Sequence, residues 1–244
     1  MLENLHFEKT GWLQGRKSRP VTLGYATSPD GAYYMMAEGV HDWAHLLTST
    51  DRGTWNDHGS IVIREPGGTP ICDPKDSNCH AGTPTLWREN GTWYLFFEQN
   101  DLASWLASTT EETPLHFTKV QSAPVLSPGP EPYDKVAIAC DEIIKYDGKY
   151  YMYYHATAHD PWDDWCYSIA VSDDLIHWTK YGKNPLSYDG DAPILVDNGR
   201  ELTLFVTESG GAASCMKRFS SKGPYIPIMT PTRPASRSDA GRVD

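Results

Sequence analysis

Long apolar runs are missing from this chain, and none approaches the roughly 18 residues that a membrane-crossing helix needs. Positive charge is scarce as well: 21 Lys and Arg stand against 32 Asp and Glu, for a net charge of −11. Nucleic acids and anionic membranes both demand a basic patch, so neither is an expected partner. The opening MLENLHFEKTGW has neither the basic start nor the apolar stretch of a secretory signal. The chain therefore reads as cytoplasmic, or as secreted with its signal already removed. No Cys-x-x-Cys pair occurs among the five cysteines, and the histidines lack metal-ligand spacing, which argues against a zinc site. No cofactor is expected, although a structural or channel calcium ion stays open. Cys72 and Cys79 are spaced to close a loop disulfide, whereas Cys140, Cys166 and Cys215 sit in apolar, strand-like runs that favour buried thiols.

Aromatics are what the chain has in quantity. Nine Trp and fourteen Tyr stand beside only six Met, and aromatic side chains fit the pleated surfaces of strands. They recur in a pattern. DGAYYMMAEG at 30–39 matches NGTWYLFFEQ at 90–99 and DGKYYMYYHA at 147–156, with a fainter copy, DNGRELTLFVTE, at 197–208. Each copy is an Asp-Gly or Asn-Gly turn followed by an alternating aromatic strand, the strongest short-range hairpin signal. The reference aromatics Tyr33, Trp93 and Tyr150 lie sixty and then fifty-seven residues apart.

A third strand follows in each copy and ends in a polar turn before another aromatic. Ser49 to Trp55 and Ser172 to Trp178 share one spacing, and Phe117 takes the Trp place in the middle copy. Four strands per unit at this period describe a propeller blade. The expected fold is therefore all-β, a single propeller domain over 1–225, with blades near 20–66, 67–126, 127–186 and 187–230. The segment 226–244 reads as a loose, disordered tail.

In a propeller the first strand of each blade lines the central channel. Those strands read AGTPTLWRENG, ACDEIIKYDG and GDAPILVDNG, and they carry Asp141, Glu142 and Asp191 beside apolar runs. Each could cap a turn or pair with an arginine at a blade edge; three together on adjacent blades point to a site. A second set closes the aromatic strands. Glu38, Glu98 and His155 each lie five residues after the reference aromatic, and Glu208 is close to that register. Trp162 and Trp165 in HDPWDDWCY, and Trp43 in VHDWAH, are loop aromatics that could stack on a sugar ring or pack inward between blades.

DEIIKYDGKYYMYYHA, IAVSDDLIHWTKYGKNPL and GDAPILVDNG resemble the five-bladed β-propeller glycosidases, a group spanning arabinofuranosidases, xylosidases, fructan hydrolases and mannoside phosphorylases. The resemblance covers about residues 20–225. It implies a glycoside hydrolase acting on an oligosaccharide or polysaccharide, with three carboxylates on successive blades as base, pKa-tuning residue and acid. Asp191, before Ala192-Pro193, resembles the acid; Glu142, beside Asp141, resembles the tuning residue. The base position offers Thr83 and Thr85 in one blade and Gly24 and Tyr25 in another, so Asp73 or Asp76 upstream becomes the nearest base. Glu38, Glu98, His80, His155, Glu208, Trp162 and Trp165 would line the pocket. Two other readings stand beside hydrolysis: a sugar-binding propeller without catalysis, and a phosphorylase using Arg16, Lys17 and Arg19 to hold phosphate. Four blades are readable where the resembled fold has five. The segment HFEKTGWLQG would complete the ring with the C-terminal tail, or the propeller is a reduced one.

Overall fold

The computed structural model describes residues 7–14, 25–27, 31–51, 53–73, 76, 78–100, 102–160, 165–188, 190–197, 202–207 and 215–221. Seventeen strands are found among them, and the helical content is a single 3-10 turn at Val40–Asp42. The strands form four sheets. The first sheet joins β2 (Tyr25–Thr27), β3 (Tyr33–Glu38), β4 (Ala44–Ser49) and β5 (Asn56–Ser60) in chain order. The second runs β7 (Ala81–Glu89), β8 (Thr92–Gln99), β9 (Ala103–Thr109) and β10 (His116–Lys119), with β6 (Val62–Arg64) on its outer edge. The third joins β11 (Ala137–Tyr146), β12 (Lys149–Thr157), β13 (Cys166–Ser172) and β14 (Trp178–Lys180). The fourth takes β15 (Asp191–Asp197), β16 (Leu202–Thr207), β17 (Cys215–Ser221) and, outermost, β1 (Phe7–Gln14).

Each sheet is a blade built on the hairpin seen in the sequence. Asn90 and Gly91 have φ of 50° and 80°, and Asp147 and Gly148 have 50° and 76°. Two successive positive φ values define the type I′ turn, which Asn-Gly and Asp-Gly adopt at least cost. Side chains then alternate between the two faces of the aromatic strand. Trp93, Leu95 and Phe97 enter a core with Met36, Leu46 and Trp43, whereas Phe96 joins Met152, Tyr154 and Ile138. Tyr151 and Tyr153 turn the other way, onto Leu195, Leu204 and Val206. Both faces of a middle blade are thus buried, which is why its strands read as nearly continuous apolar runs. Burying each such side chain contributes about 1.5–3 kcal/mol.

Two features depart from the sequence reading. Val62–Arg64, placed by sequence in the first blade, pairs in parallel with His116–Thr118 of the second. The N-terminal segment does pair with the C-terminal region, but its partner is Cys215–Ser221, upstream of the 226–244 tail, which lies outside the described residues. One sheet therefore holds both ends of the propeller. Among the described residues there are four blades, and a fifth is not among them.

Candidate active site at the bulges of the inner strands

The inner strands β7, β11 and β15 share an irregularity at one level. Register shifts fall between Gly82 and Thr85, between Cys140 and Glu142, and between Asp191 and Ile194. A bulge sets two residues against one and re-aims the side chains around it. Thr83 and Ala192, each followed by proline, have φ of 44° and 45° there. A residue before proline normally prefers extended backbone, and strained backbone of this kind gathers at functional sites.

Strand pairing fixes the levels of the acids. Glu142 pairs with Tyr153, as Thr85 does with Phe96 and Ile194 with Phe205. Asp191 pairs with Thr207 and shares its rung with Ala139 and Gly82, three positions from the Glu142 level. Asp191 and Glu142 therefore do not sit on one rung of neighbouring blades. The side chain of Asp191 lies outside the described residues.

Asp141 and Glu142, adjacent in sequence, have opposite environments. Asp141 is buried, and its Oδ1 lies 2.8 Å from His155 Nδ1. That contact orients the imidazole, and the edge of the Trp165 ring packs on it with centroids 4.8 Å apart. Glu142 keeps some contact with solvent. Its Oε2 accepts a hydrogen bond from the amide of Leu195 on the next inner strand. Desolvation of the carboxyl pushes its pKa up to about 8, with the Asp141 charge adding and the Leu195 amide opposing. Thr85, the Glu142 counterpart one blade earlier, donates its hydroxyl to the carbonyl of Asp141 at 2.9 Å and so ties β7 to β11.

Glu38, Glu98 and His155 occupy the same rung of their blades, as their spacing predicts. Glu38 Oε2 accepts the amide of Thr83 at 3.0 Å, across the blade boundary. Glu98 is buried and pairs with Gly82. A Cβ on Gly82 would stand 2.7 Å from Glu98 Oε1 and 3.2 Å from Glu38 Oε2. Glycine at this position is what lets two carboxylates from neighbouring blades close on one stretch of backbone. Sequence reasoning passed over Gly82 and set Thr83 aside because it is not an acid. The signal was the repeated dipeptide Thr83-Pro84 and Ala192-Pro193.

Other expected site residues sit elsewhere. Asp73 and Asp76 are exposed on the loop closed by the Cys72–Cys79 disulfide, not on an inner strand. Asp76 Oδ1 accepts both the amide and the side-chain NH₂ of Asn78 at 2.9 Å, which lowers its pKa. Its carboxylate shapes that turn. His80 follows the loop, and its backbone is clasped to Asn100 just before β7 begins. Trp43 is buried and donates its indole N–H to Ile61 at 2.9 Å, so it packs inward. Cys140 and Cys166 are buried thiols. Trp162, Glu208, Arg16, Lys17 and Arg19 lie outside the described residues. Among the described residues, no group of three or more His, Cys, Asp and Glu side chains is arranged to hold a metal ion.

Three solved structures place this fold among known proteins. A family 117 glycoside hydrolase from Zobellia galactanivorans superposes with a TM-score of 0.58 at 18% identity, over 94% of this chain and 77% of its own. An α-L-arabinofuranosidase from Clostridium thermocellum gives 0.54 at 14%, over 85% and 70%. A sucrose-6-phosphate hydrolase from Lactobacillus gasseri gives 0.56 at 21%, over 77% of this chain, which spans only 39% of that protein. All are glycoside hydrolases, and the likeness establishes the propeller fold. No family model matches the chain, and no curated protein does.

Proposed function

We propose that this chain is a glycoside hydrolase that cleaves a terminal or short-oligosaccharide bond at the bulge level of its inner strands. The observation that carries the reading is Glu142, a partly exposed residue at the bulge whose carboxylate accepts the Leu195 amide across the blade boundary and whose desolvation raises its pKa to about 8. Hydrolysis needs a carboxylic acid that still holds its proton near neutral pH, to protonate the departing glycosidic oxygen. It also needs a carboxylate on the other side of the sugar, to activate water or to attack the anomeric carbon.

Glu142 is assigned the proton donation. Asp191, the acid expected from sequence, stands on the neighbouring inner strand two rungs from Glu142 and is kept as a second candidate. Glu38 is assigned as the carboxylate partner in place of Asp73 and Asp76. It is half-buried, held by the Thr83 amide, and belongs to the rung that also presents Glu98 and His155. Trp165, set against His155, supplies an apolar face for the sugar ring. The fold of the three glycoside hydrolases above supports the same reading.

The test is hydrolysis of a panel of aryl glycosides, with and without phosphate and chelator, by the wild type and by Glu142→Gln, Glu38→Gln and Asp191→Asn. The reading expects turnover of at least one glycoside without phosphate, and its loss in Glu142→Gln. Turnover that requires phosphate would make the chain a phosphorylase. Sugar binding without any turnover would make it a binding propeller.

A further inference from the structure

Among the described residues two large apolar side chains are exposed, Leu102 at 52% and Tyr188 at 66%. Both stand at the bulge end, and strand register locates them. In the third blade one rung runs through Ala139, His155, Tyr167 and Ser187, from the inner strand outward. The matching rung of the second blade runs through Gly82, Glu98, Ser104 and Leu126. Tyr188 is the residue after Ser187. Leu102 stands ahead of Ser104 where Trp165 stands ahead of Tyr167.

These placements bracket the mouth of the third blade. The carbonyl of Leu102 accepts the amide of Ile138, on the inner strand, at 3.1 Å. Ser187 lies three strand spacings further out, about 14 Å. Asp141, Glu142 and His155 lie on β11 and β12 within that span, and Trp165 leads into β13. Tyr188 also precedes Asp191 on the same stretch of chain. Their Cα atoms are therefore no more than about 11 Å apart, the reach of three extended residues.

The backbone beneath Tyr188 is pinned. The Tyr167 amide donates to the carbonyl of Ser187 at 3.0 Å, and the Leu186 amide to the carbonyl of Tyr167 at 2.9 Å. The Asn184 side chain accepts the amide of Ile169 at 3.1 Å and donates to its carbonyl at 2.9 Å. The second blade follows the same course. There the Ser104 amide donates to Leu126 at 3.0 Å and the Val125 amide to Ser104 at 2.9 Å. The residue that follows is Ser127, whose carbonyl accepts the Lys180 ammonium at 2.8 Å. A serine thus meets every demand that the blade itself makes at this place. The third blade puts a tyrosine there and exposes two-thirds of it instead of filling a core.

We propose that Tyr188 is the platform for a sugar unit beyond the bond that is cleaved, so that the substrate is an oligosaccharide laid across the mouth of the third blade. The identity of the cleaved bond rests on the hydrolase reading above, whereas binding at Tyr188 is a separate claim. A phenol ring offers an apolar face to the C–H side of a sugar and a hydroxyl to its polar edge. Its pinned backbone lowers the ordering cost of binding. A protein partner would ask for a contiguous apolar face of several hundred Å². Two side chains on opposite flanks of a blade mouth do not form one, but they suit the two ends of a short sugar chain.

The test reads binding in Glu142→Gln, so that it does not depend on turnover. Cellotriose, β-1,3-galactotriose and raffinose are titrated while the Tyr188 ring resonance, assigned by its loss in Tyr188→Phe, is followed by NMR. Glucose and galactose serve as single-unit controls. At least one trisaccharide should shift that resonance in saturable fashion, and the monosaccharides should not. Tyr188→Ala should weaken that trisaccharide by about tenfold, whereas Tyr188→Phe, which keeps the ring, should retain most of the affinity. With Glu142 restored, Tyr188→Ala should lower kcat/KM on the trisaccharide about tenfold relative to kcat/KM on an aryl monoglycoside. The proposal is overturned if no trisaccharide moves the resonance, if the monosaccharides move it equally, or if Tyr188→Ala binds the trisaccharide as tightly as its parent. Saturable binding at Tyr188 with no glycoside turned over by the wild type would overturn the hydrolase reading alone.

Discussion

Asp174 lies in the turn at the hairpin end of the same blade that carries Glu142 at its bulge, and their carboxyls are driven in opposite directions. Asp174 is exposed and accepts the amides of Ile176 and His177 at 2.9 and 2.8 Å, with the His177 ring and the Ser172 hydroxyl adding further bonds. Every partner is within three residues, and together they hold its pKa far below normal. Glu142 has one amide, contributed by another blade, and a desolvated setting that raises its pKa. The hairpin end of a blade satisfies its polar groups locally, and that is how a turn is built. The bulge end satisfies them across blade boundaries and leaves one carboxyl holding a proton. Only the second arrangement is fit for acid catalysis.

Substitutions at the two ends should therefore differ in what they damage. The largest effect is expected for Glu142→Gln. It should lower kcat by about a hundredfold to ten-thousandfold, the usual worth of a positioned acid, while the denaturation midpoint at pH 7 holds or rises. Replacing Asp141 by Asn removes the buried carboxylate that holds the partly exposed imidazole of His155. That change should cost about 1–3 kcal/mol in urea denaturation, since it disrupts a hydrogen bond made by a buried carboxylate. Opening the 72–79 loop with a Cys72→Ser, Cys79→Ser double variant should cost about 2 kcal/mol by loop-entropy reasoning and leave kcat nearly unchanged. Loss of kcat in that variant would return Asp73 or Asp76 to the reaction. The smallest effect is expected for Asp174→Ala, about 1 kcal/mol of stability and no change in activity, as for the loss of a local cap.

The pH dependence sharpens the same contrast. Glu142 is raised in the folded state, so the native protein binds its proton where the unfolded chain has lost it. Its contribution to stability is full below the ordinary carboxylate range and is lost as pH climbs through about 8. Asp174 has the reverse sign: its contribution is present above the ordinary carboxylate value and is lost as pH falls well below it. In urea melts from about pH 2 to 9, Glu142→Gln should flatten the decline between about pH 5 and 8, whereas Asp174→Ala should alter the pH dependence only below about pH 4.

Much of the fold was legible because it rests on short-range chemistry. Asn90-Gly91 and Asp147-Gly148 mark hairpins through their own φ preferences, and the two-residue alternation of Trp93 to Phe97 marks buried faces. The placement of β6 was not legible. Val62–Arg64 reads as a strand, but its partner His116–Thr118 is more than fifty residues away and nothing local selects it. The site divides along the same line. Glu38, Glu98 and His155 were found by register alone. The bulges hid the rest: the extra residue in the inner strand of the third blade turned Asp141 onto His155, and counting from the hairpin glycine cannot register that. Asp73 and Asp76 were reached by looking upstream in the linker once the inner strands offered no acid; Glu38, the carboxylate proposed in their place, lies on a second strand and meets the inner strand through the amide of Thr83.

The most direct measurement is the pH profile of kcat/KM on whichever aryl glycoside the wild type cleaves, set beside that of Glu142→Gln. If Glu142 supplies the proton, the wild-type profile falls with an apparent pKa near 8, and the residual activity of the variant lacks that descending limb. A variant with wild-type turnover and the same limb would show that another group protonates the leaving oxygen.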